Sequence, residues 1–252
     1  MLPPTDYDGR MAEVYDRGRA YPVEWLEPWR EALAPFLPPP EGQPILDLGS
    51  GTGQWSPVLA DWFAVPILAI EPADGMRRQA LAKGTHPAVS LIGGRGERLP
   101  LRDASVGAAW LSTVLHHFED LAGALTELRR VLGSNGPVLV RQAFPGRVDD
   151  VLWTRYFPEA ERIAERRWLG LEPTMDAFEV AGFRREVLAR VTQVVAGSLR
   201  EYADRVRTRA DSSLALLDDS VFESGMAALD ADAAREEDPQ PVRSTIDFVA
   251  FR

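Results

Sequence analysis

The chain has no cysteine among its 252 residues, which excludes disulfides, thiolate nucleophiles and cysteine-held metals. It is short of positive charge: 28 Lys and Arg stand against 38 Asp and Glu, a formal net charge of -10 with an isoelectric point near 4.9. A nucleic-acid substrate demands a basic surface, so no nucleic-acid partner is expected. No apolar run is long enough to span a bilayer, and Met1 to Arg10 lacks the hydrophobic stretch of a secretion signal, so a cytoplasmic protein without a membrane partner is expected. Histidine is scarce, three in all. His86 falls apart from His116 and His117 and no cysteine assists, so no metal is expected.

What the chain does have is enough apolar residue, 45%, to bury one substantial core, and the simplest count is a single domain over 1–252. Ile45-Leu46-Asp47-Leu48-Gly49-Ser50-Gly51-Thr52-Gly53 reads as a buried parallel strand ending in a turn whose glycines let backbone pass close to a ligand. Gln54 onward, with Pro57 in the first turn, reads as a helix opening. A dinucleotide-binding turn has G-x-G-x-x-G. Here the spacing is G-x-G-x-G, Gln54 stands where the third dinucleotide glycine would be, and Asp47 would sit unfavourably close to phosphates. A cationic ligand suits the turn better, and a nicotinamide oxidoreductase is disfavoured.

Four segments in order across 45–143 carry a resemblance: Asp47 to Gly53, Glu71-Pro72, Gly96-Glu97-Arg98-Leu99-Pro100, and Leu115-His116-His117-Phe118. With these the chain resembles the class I S-adenosylmethionine-dependent methyltransferases, and within them the ubiquinone/menaquinone-biosynthesis-like group of small-molecule enzymes. The resemblance implies S-adenosylmethionine as cofactor and S-adenosylhomocysteine as product. It implies that Gly49, Ser50, Gly51, Thr52 and Gly53 border the methionine and ribose portions, and that Asp47 orients the methionine ammonium directly or through water. Glu71, at a strand end, would accept hydrogen bonds from both ribose hydroxyls. Pro72 follows it, and Met76 faces the adenine or packs in the core. Gly96 and Glu97 would lie along the adenine edge, although alanine is frequent in the family where Gly96 stands; Leu111 completes the implied set.

Apolar runs at Ile45 to Leu48, Pro66 to Ile70, Val89 to Gly93, Val106 to Leu111 and Val138 to Gln142 alternate with helix-forming segments near 54–63, 73–83 and 120–132. This pattern predicts an α/β fold with a doubly wound, Rossmann-like sheet. Ser134-Asn135-Gly136-Pro137 is a helix-to-strand turn signal, and Gly182 ends a helix before the strand-like Phe183 to Val191. The resemblance makes Val242 to Phe251 the seventh strand, inserted antiparallel between two others.

Residues 45–143 are thus the expected cofactor-binding core, and two additions decorate it. An N-terminal helical lid spans 1–44, up to the linker Pro38-Pro39-Pro40. Its run Tyr15 to Pro22 resembles the family's lid, in which Tyr15 borders the cofactor and Arg19 either approaches the cofactor carboxylate or sits in solvent at a helix end. Helical substrate-side insertions are expected at 144–172 and 197–240. Trp153, Tyr156, Phe157 and Trp168 line an apolar pocket or pack the first insertion onto the sheet. The mixed charges of Arg200 to Arg209 read as a solvated helix face, and acidic, alanine-rich 228–238 as a helix end entering a loop.

Methyl transfer needs alignment and exclusion of water more than side-chain chemistry, with a base where the nucleophile carries a proton. His117, and after it His116, is the candidate base at the end of the fourth strand, the edge where a doubly wound sheet binds ligands; one of the pair is alternatively a helix cap near Asp120. The expected activity is methyl transfer to an O, N or C nucleophile of a small organic metabolite, by a monomer or homodimer. The alternative is a methyltransferase-fold protein that binds the cofactor without transferring methyl, as a ligand-binding module or cofactor-assisted cyclase.

Overall fold

A computed structural model describes residues 6–39, 42–133, 136–148 and 150–252. Its centre is a seven-stranded sheet of order β3-β2-β1-β4-β5-β7-β6, built from β1 (Ile45–Leu48), β2 (Ile67–Glu71), β3 (Val89–Gly93), β4 (Ala108–Ser112), β5 (Val138–Gln142), β6 (Arg185–Ala196) and β7 (Val242–Phe251). The first five pair in parallel, and β7 runs antiparallel to both its neighbours. The doubly wound, Rossmann-like expectation is met, including the antiparallel last strand. Strand order reverses between β1 and β4, which opens a ligand crevice beyond their carboxyl ends. The sixth strand runs to Ala196, beyond the predicted Val191. Its first half is mostly exposed at the sheet edge, whereas Gln193, Val195 and Ala196 in the added stretch are buried; polar Thr192 and Gln193 interrupt the apolar run there.

Because successive strand residues face opposite sides, each parallel strand supplies two cores. On one face Leu46, Leu48, Leu111, Val138 and Val140 pack beneath α5 (Leu121–Leu132) and α7 (Leu171–Val180). Asp120 caps α5 by accepting from Gly123 N at 3.0 Å, and Glu97 accepts from Glu119 N at 3.0 Å. The helix-cap alternative for the histidine pair is thereby taken by carboxylates. Gly182 ends α7 as expected, with the Phe183 amide returning to the Phe178 carbonyl.

The other face carries Ile45, Ile67, Trp110, Leu139 and Phe248 under α3 (Trp55–Phe63) and α2 (Glu27–Leu33). This corrects the reading of 1–44 as lid alone. Among the described residues of this segment, α1 (Arg10–Arg19) and Asp6 to Asp8 before it lie over the crevice, beside α4 (Asp74–Ala82), whereas Leu26, Trp29, Leu33 and Leu37 are buried against the sheet. Their spacing of three, four and four is a helical apolar stripe, a signal already present in the sequence.

The substrate-side additions form a third body: α6 (Pro158–Arg167), α8 (Leu199–Arg207), α9 (Ser212–Ala215) and α10 (Asp219–Ala234) gather around Phe157, Tyr202, Phe222 and Leu229. Arg205 pairs with Glu201, Arg207 with Asp230 and Arg209 with Asp219; Arg207 is half exposed as a solvated face requires, whereas the Arg205 and Arg209 side chains are only 16% and 12% exposed and turn inward. The acidic tail of 228–238 leaves its helix at Ala234. Two sequence features fall partly outside the described residues: Pro40 of the proline linker, and Ser134 and Asn135 of the turn before β5.

Candidate active site

At the carboxyl edge of the sheet lies a cleft of about 1050 Å³, bordered by the glycine turn, the end of β2, the loop after β3, the histidine pair and the lid. After β1 the chain reverses as the amides of Gly49 and Ser50 both donate to the Ile70 carbonyl, at 2.8 and 3.1 Å. Gly49 and Gly51 take φ of 73° and 58°, in the left-handed region. A Cβ on Gly49 would stand 2.4 Å from Val114, whereas one on Gly51 would meet no protein atom within 4 Å, so bare backbone borders the cleft.

Glu71 closes the turn from the side. It is 6% exposed; Oε2 accepts from Gly51 N and Oε1 from Ala73 N, each at 2.9 Å. Burial raises its pKa, and the two amides oppose that rise. Tyr7 and Asp8 cover the cleft from the lid, where the Asp8 carboxylate accepts from Gly75 N at 2.9 Å. Thr52 Oγ1 donates to the Asp16 carboxylate, and Lys83 pairs with Asp16 at 2.8 Å, so α1 is tied to both the turn and α4.

His117 follows β4 in a short 3-10 turn over Leu115–His117. Its Nε2 is 3.0 Å from the Tyr7 hydroxyl, which is 2.7 Å from Ser212 Oγ, so the lid and α9 orient the ring. The ring keeps an edge open to the cleft, yet the surrounding protein mass, followed by the Arg19 charge, pushes its pKa down to about 4. The His116 pKa is also lowered, by burial first and then by His117 and Arg19; its Nε2 has no partner and its ring centre lies 4.6 Å from that of Trp168. Both imidazoles are therefore neutral at physiological pH.

The cleft shares Tyr15, Thr113, His116 and His117 with an antechamber of about 60 Å³, which in turn shares Arg19, Thr113, Trp153 and Asp211 with an inner chamber of about 100 Å³. The sequence-predicted residues divide among these spaces. Gly49, Gly51, Glu71, Pro72, Met76, Tyr15, His116 and His117 come together around the cleft. Met76, 2% exposed, borders the cleft and also packs with Met11 and Ala73.

Arg19 borders the two chambers instead of the cleft and pairs with Asp211 at 2.7 Å. Burial works against its charge, but Tyr15 and Asp211 hold its pKa above the ordinary value. The solvent-exposed alternative does not hold. Trp153 borders both chambers and Trp168 the cleft and antechamber, whereas Phe157 is core and the Tyr156 hydroxyl donates to Asp232.

Other predicted contacts are displaced. Leu111 is wholly buried in the core, and Ser112 and Thr113 border the cleft beyond it. Ser50 and Thr52 are buried within the turn, and Gly53 lies against Ala80. Glu97 caps the approach to α5, and Gly96 lies so close to the Phe118 ring that a Cβ would stand 2.4 Å from it; Gly94 and Arg95 border the cleft in their place.

Asp47 is 1% exposed beneath the turn and accepts from Ser56 Oγ at 2.6 Å, so its carboxylate addresses α3 and not the cleft. Burial raises its pKa to about 7, against the Ser56 bond that lowers it. A raised carboxylate pKa confers stability below the unfolded value near 4, lost as pH rises towards 7. Asp47→Asn retains an acceptor for Ser56, so its melting temperature relative to the parent protein is expected to climb between pH 4 and 7 and then level off; a constant difference across that range would contradict this.

No group of three or more metal-ligating side chains occurs among the described residues, and none of their helices is long and apolar enough to cross a membrane. Residues 46–140, from β1 into β5, match the methyltransferase domain family. A demethylmenaquinone methyltransferase of Corynebacterium kroppenstedtii is 34% identical over 112 residues, 44% of this chain and 47% of that protein. A malonyl-[acyl-carrier protein] O-methyltransferase of Erwinia billingiae is 36% identical over 111 residues, 43% of this chain and 42% of that protein. The chain spans about half the length of the curated relatives it matches. In fold it is similar to a structure from Anabaena variabilis described as a candidate methyltransferase of an antibiotic biosynthesis pathway, with a TM-score of 0.76 at 24% identity over 94% of this chain and 99% of that one. Residues 46–140 thus match a methyltransferase domain, and the chain is similar in sequence to the ubiquinone/menaquinone-biosynthesis methyltransferases.

Proposed function

We propose that the chain transfers a methyl group from S-adenosylmethionine to an O, N or C nucleophile of a small organic metabolite. The observation that carries this reading is the juxtaposition, at one sheet edge, of a methyltransferase-type glycine turn and Glu71 with two adjoining chambers of about 60 and 100 Å³. Bare backbone at Gly51 and an acidic acceptor at the β2 end fit a nucleoside that carries no phosphate. When bound, S-adenosylmethionine supplies a methyl group already activated by its sulfonium.

The protein's share is binding, orientation and proton removal. Glu71 would hold the ribose hydroxyls, Pro72 and Met76 would border the adenine, and Tyr15 would close the cleft over the cofactor. His117 would serve as base, with Tyr7 and Ser212 fixing its ring. We read 1–252 as one methyltransferase domain acting in the cytoplasm as a monomer or homodimer, a state that light scattering after gel filtration reports. The net charge of -10 supports a metabolite over a nucleic acid.

Titration calorimetry with S-adenosylmethionine and S-adenosylhomocysteine tests the cofactor, and a mass-spectrometric screen of metabolite extracts for an enzyme-dependent gain of one methyl group tests transfer. Binding of neither sulfur compound would overturn the proposal. Glu71→Ala is expected to weaken cofactor binding by about 1–3 kcal/mol through lost charge-assisted hydrogen bonds. An unchanged dissociation constant would remove Glu71 from that role.

A further inference from the structure

The inner chamber contains a charge that folding leaves without a counter-charge. Arg141, next to last in β5, is 4% exposed and borders this chamber. Its Nη1 donates to Thr113 Oγ1 at 2.8 Å and to Ser112 Oγ at 3.5 Å, and its Nη2 to Gln193 Oε1 at 3.1 Å. All three partners are neutral, and Nε has none. The acids nearby are committed elsewhere: Asp211 to Arg19, and Asp247 on β7 to Arg147 through two bonds of 2.9 and 2.8 Å.

A buried guanidinium without a carboxylate is costly. The Trp29 and Trp55 rings, 5.1 and 5.8 Å from it, offset part of that cost by cation–π attraction, yet burial still draws its pKa down to about 10. A methionine or leucine would fill the same volume at less cost. The chamber's other walls are mostly apolar, with Val148, Val195, Leu214 and Ile246 beside Trp153.

Thr113 joins the two ends of this arrangement. It borders the cleft, the antechamber and the inner chamber, and holds φ of 58°, a backbone region that a β-branched residue rarely adopts. In that conformation its hydroxyl meets Arg141, while the residue also borders the cleft just after β4.

We infer that the inner chamber seats an acidic acceptor, a small molecule whose carboxylate pairs with Arg141 and whose apolar body lies against Trp153 and the valines. The other end of that molecule is presented through the antechamber to His117 and the cleft. This inference rests on the methyl-transfer reading for the word acceptor, but the anion site itself does not. Arg141 is a specificity-determining residue, and the remaining Nη2 hydrogen is the donor for the carboxylate.

The test uses the intact protein and matched pairs of probes, phenylacetate with phenylacetamide and hexanoate with hexanamide, followed by calorimetry with and without S-adenosylhomocysteine. In the parent protein each acid is expected to bind on the order of tenfold more tightly than its amide, as a charge-assisted bond to a buried guanidinium requires. Arg141→Met should abolish that preference and Arg141→Lys retain part of it, with S-adenosylhomocysteine affinity unchanged in both. Equal binding of acid and amide, or of neither, by the parent protein would overturn the inference, and that arm needs no variant to fold. A clear acid preference without methyl transfer in the metabolite screen would uphold the anion site and overturn the transferase reading instead.

Discussion

Replacing His117 by alanine is expected to lower turnover by about 10²–10⁴-fold, the usual worth of a positioned general base, while leaving the S-adenosylmethionine dissociation constant within about twofold. The imidazole borders both the cleft and the antechamber, and its Nε2 is already fixed 3.0 Å from the Tyr7 hydroxyl. With its pKa drawn down to about 4, the ring is neutral and able to accept a proton across the whole physiological range. Acidification removes that capacity only as pH falls through about 4, so kcat in the parent protein should be level above pH 5 and decline below it. The variant should lose that acid limb. So low a pKa also suits an acceptor whose own proton is acidic, because transfer to a weak base from an ordinary alcohol is uphill. Full turnover of the variant across the pH range would assign the chemistry to proximity alone.

Trp29→Ala is expected to lower the unfolding free energy by about 3–5 kcal/mol, measured by denaturant titration, the range for removing a fully buried aromatic side chain. Trp29 is wholly buried and meets Trp55, Trp110 and Phe248 edge-on, with ring centres 6.2, 6.0 and 6.3 Å away. Its indole N–H donates to Gln193 Oε1 at 2.7 Å, the same oxygen that accepts from Arg141. The substitution thus removes packing between α2 and the sheet and, with it, part of the environment of the inner chamber. A loss below about 1 kcal/mol, the scale of a surface change, would show that α2 is dispensable to the core.

How much of this was legible beforehand differs from element to element. β1, β3 and β5 begin and end where expected; β1 and β5 are buried throughout, so mostly apolar sequence marks them, while β3 is a partly exposed edge strand still marked by Val89, Leu91 and Ile92. The pairing of Glu71 with the glycine turn was also legible, since both lie at the ends of adjacent parallel strands. Asp47 was misread for a geometric reason. Its motif position says that it precedes the turn, but whether its carboxylate meets a ligand or Ser56 depends on how α3 leaves that turn. Leu111 was misplaced because a strand residue beside the crevice still turns its side chain into a core.

Arg19, Arg141 and Asp211 lie more than 60 residues from one another along the chain, yet they border one chamber. The run from Ile45 to Gln142 carries its meaning locally: apolar periodicity selects the strands, glycine spacing shapes the turn, and an acid at the next strand end is placed beside that turn. Those features suffice for the fold and the domain class because each acts over a few residues. The second molecule's site has no such local signature. Whether Arg141 meets a carboxylate of its own chain, and whether Tyr7 reaches His117 across 110 residues, are settled only when lid, sheet and insertions close on one another, since burial and counter-charge belong to the folded assembly.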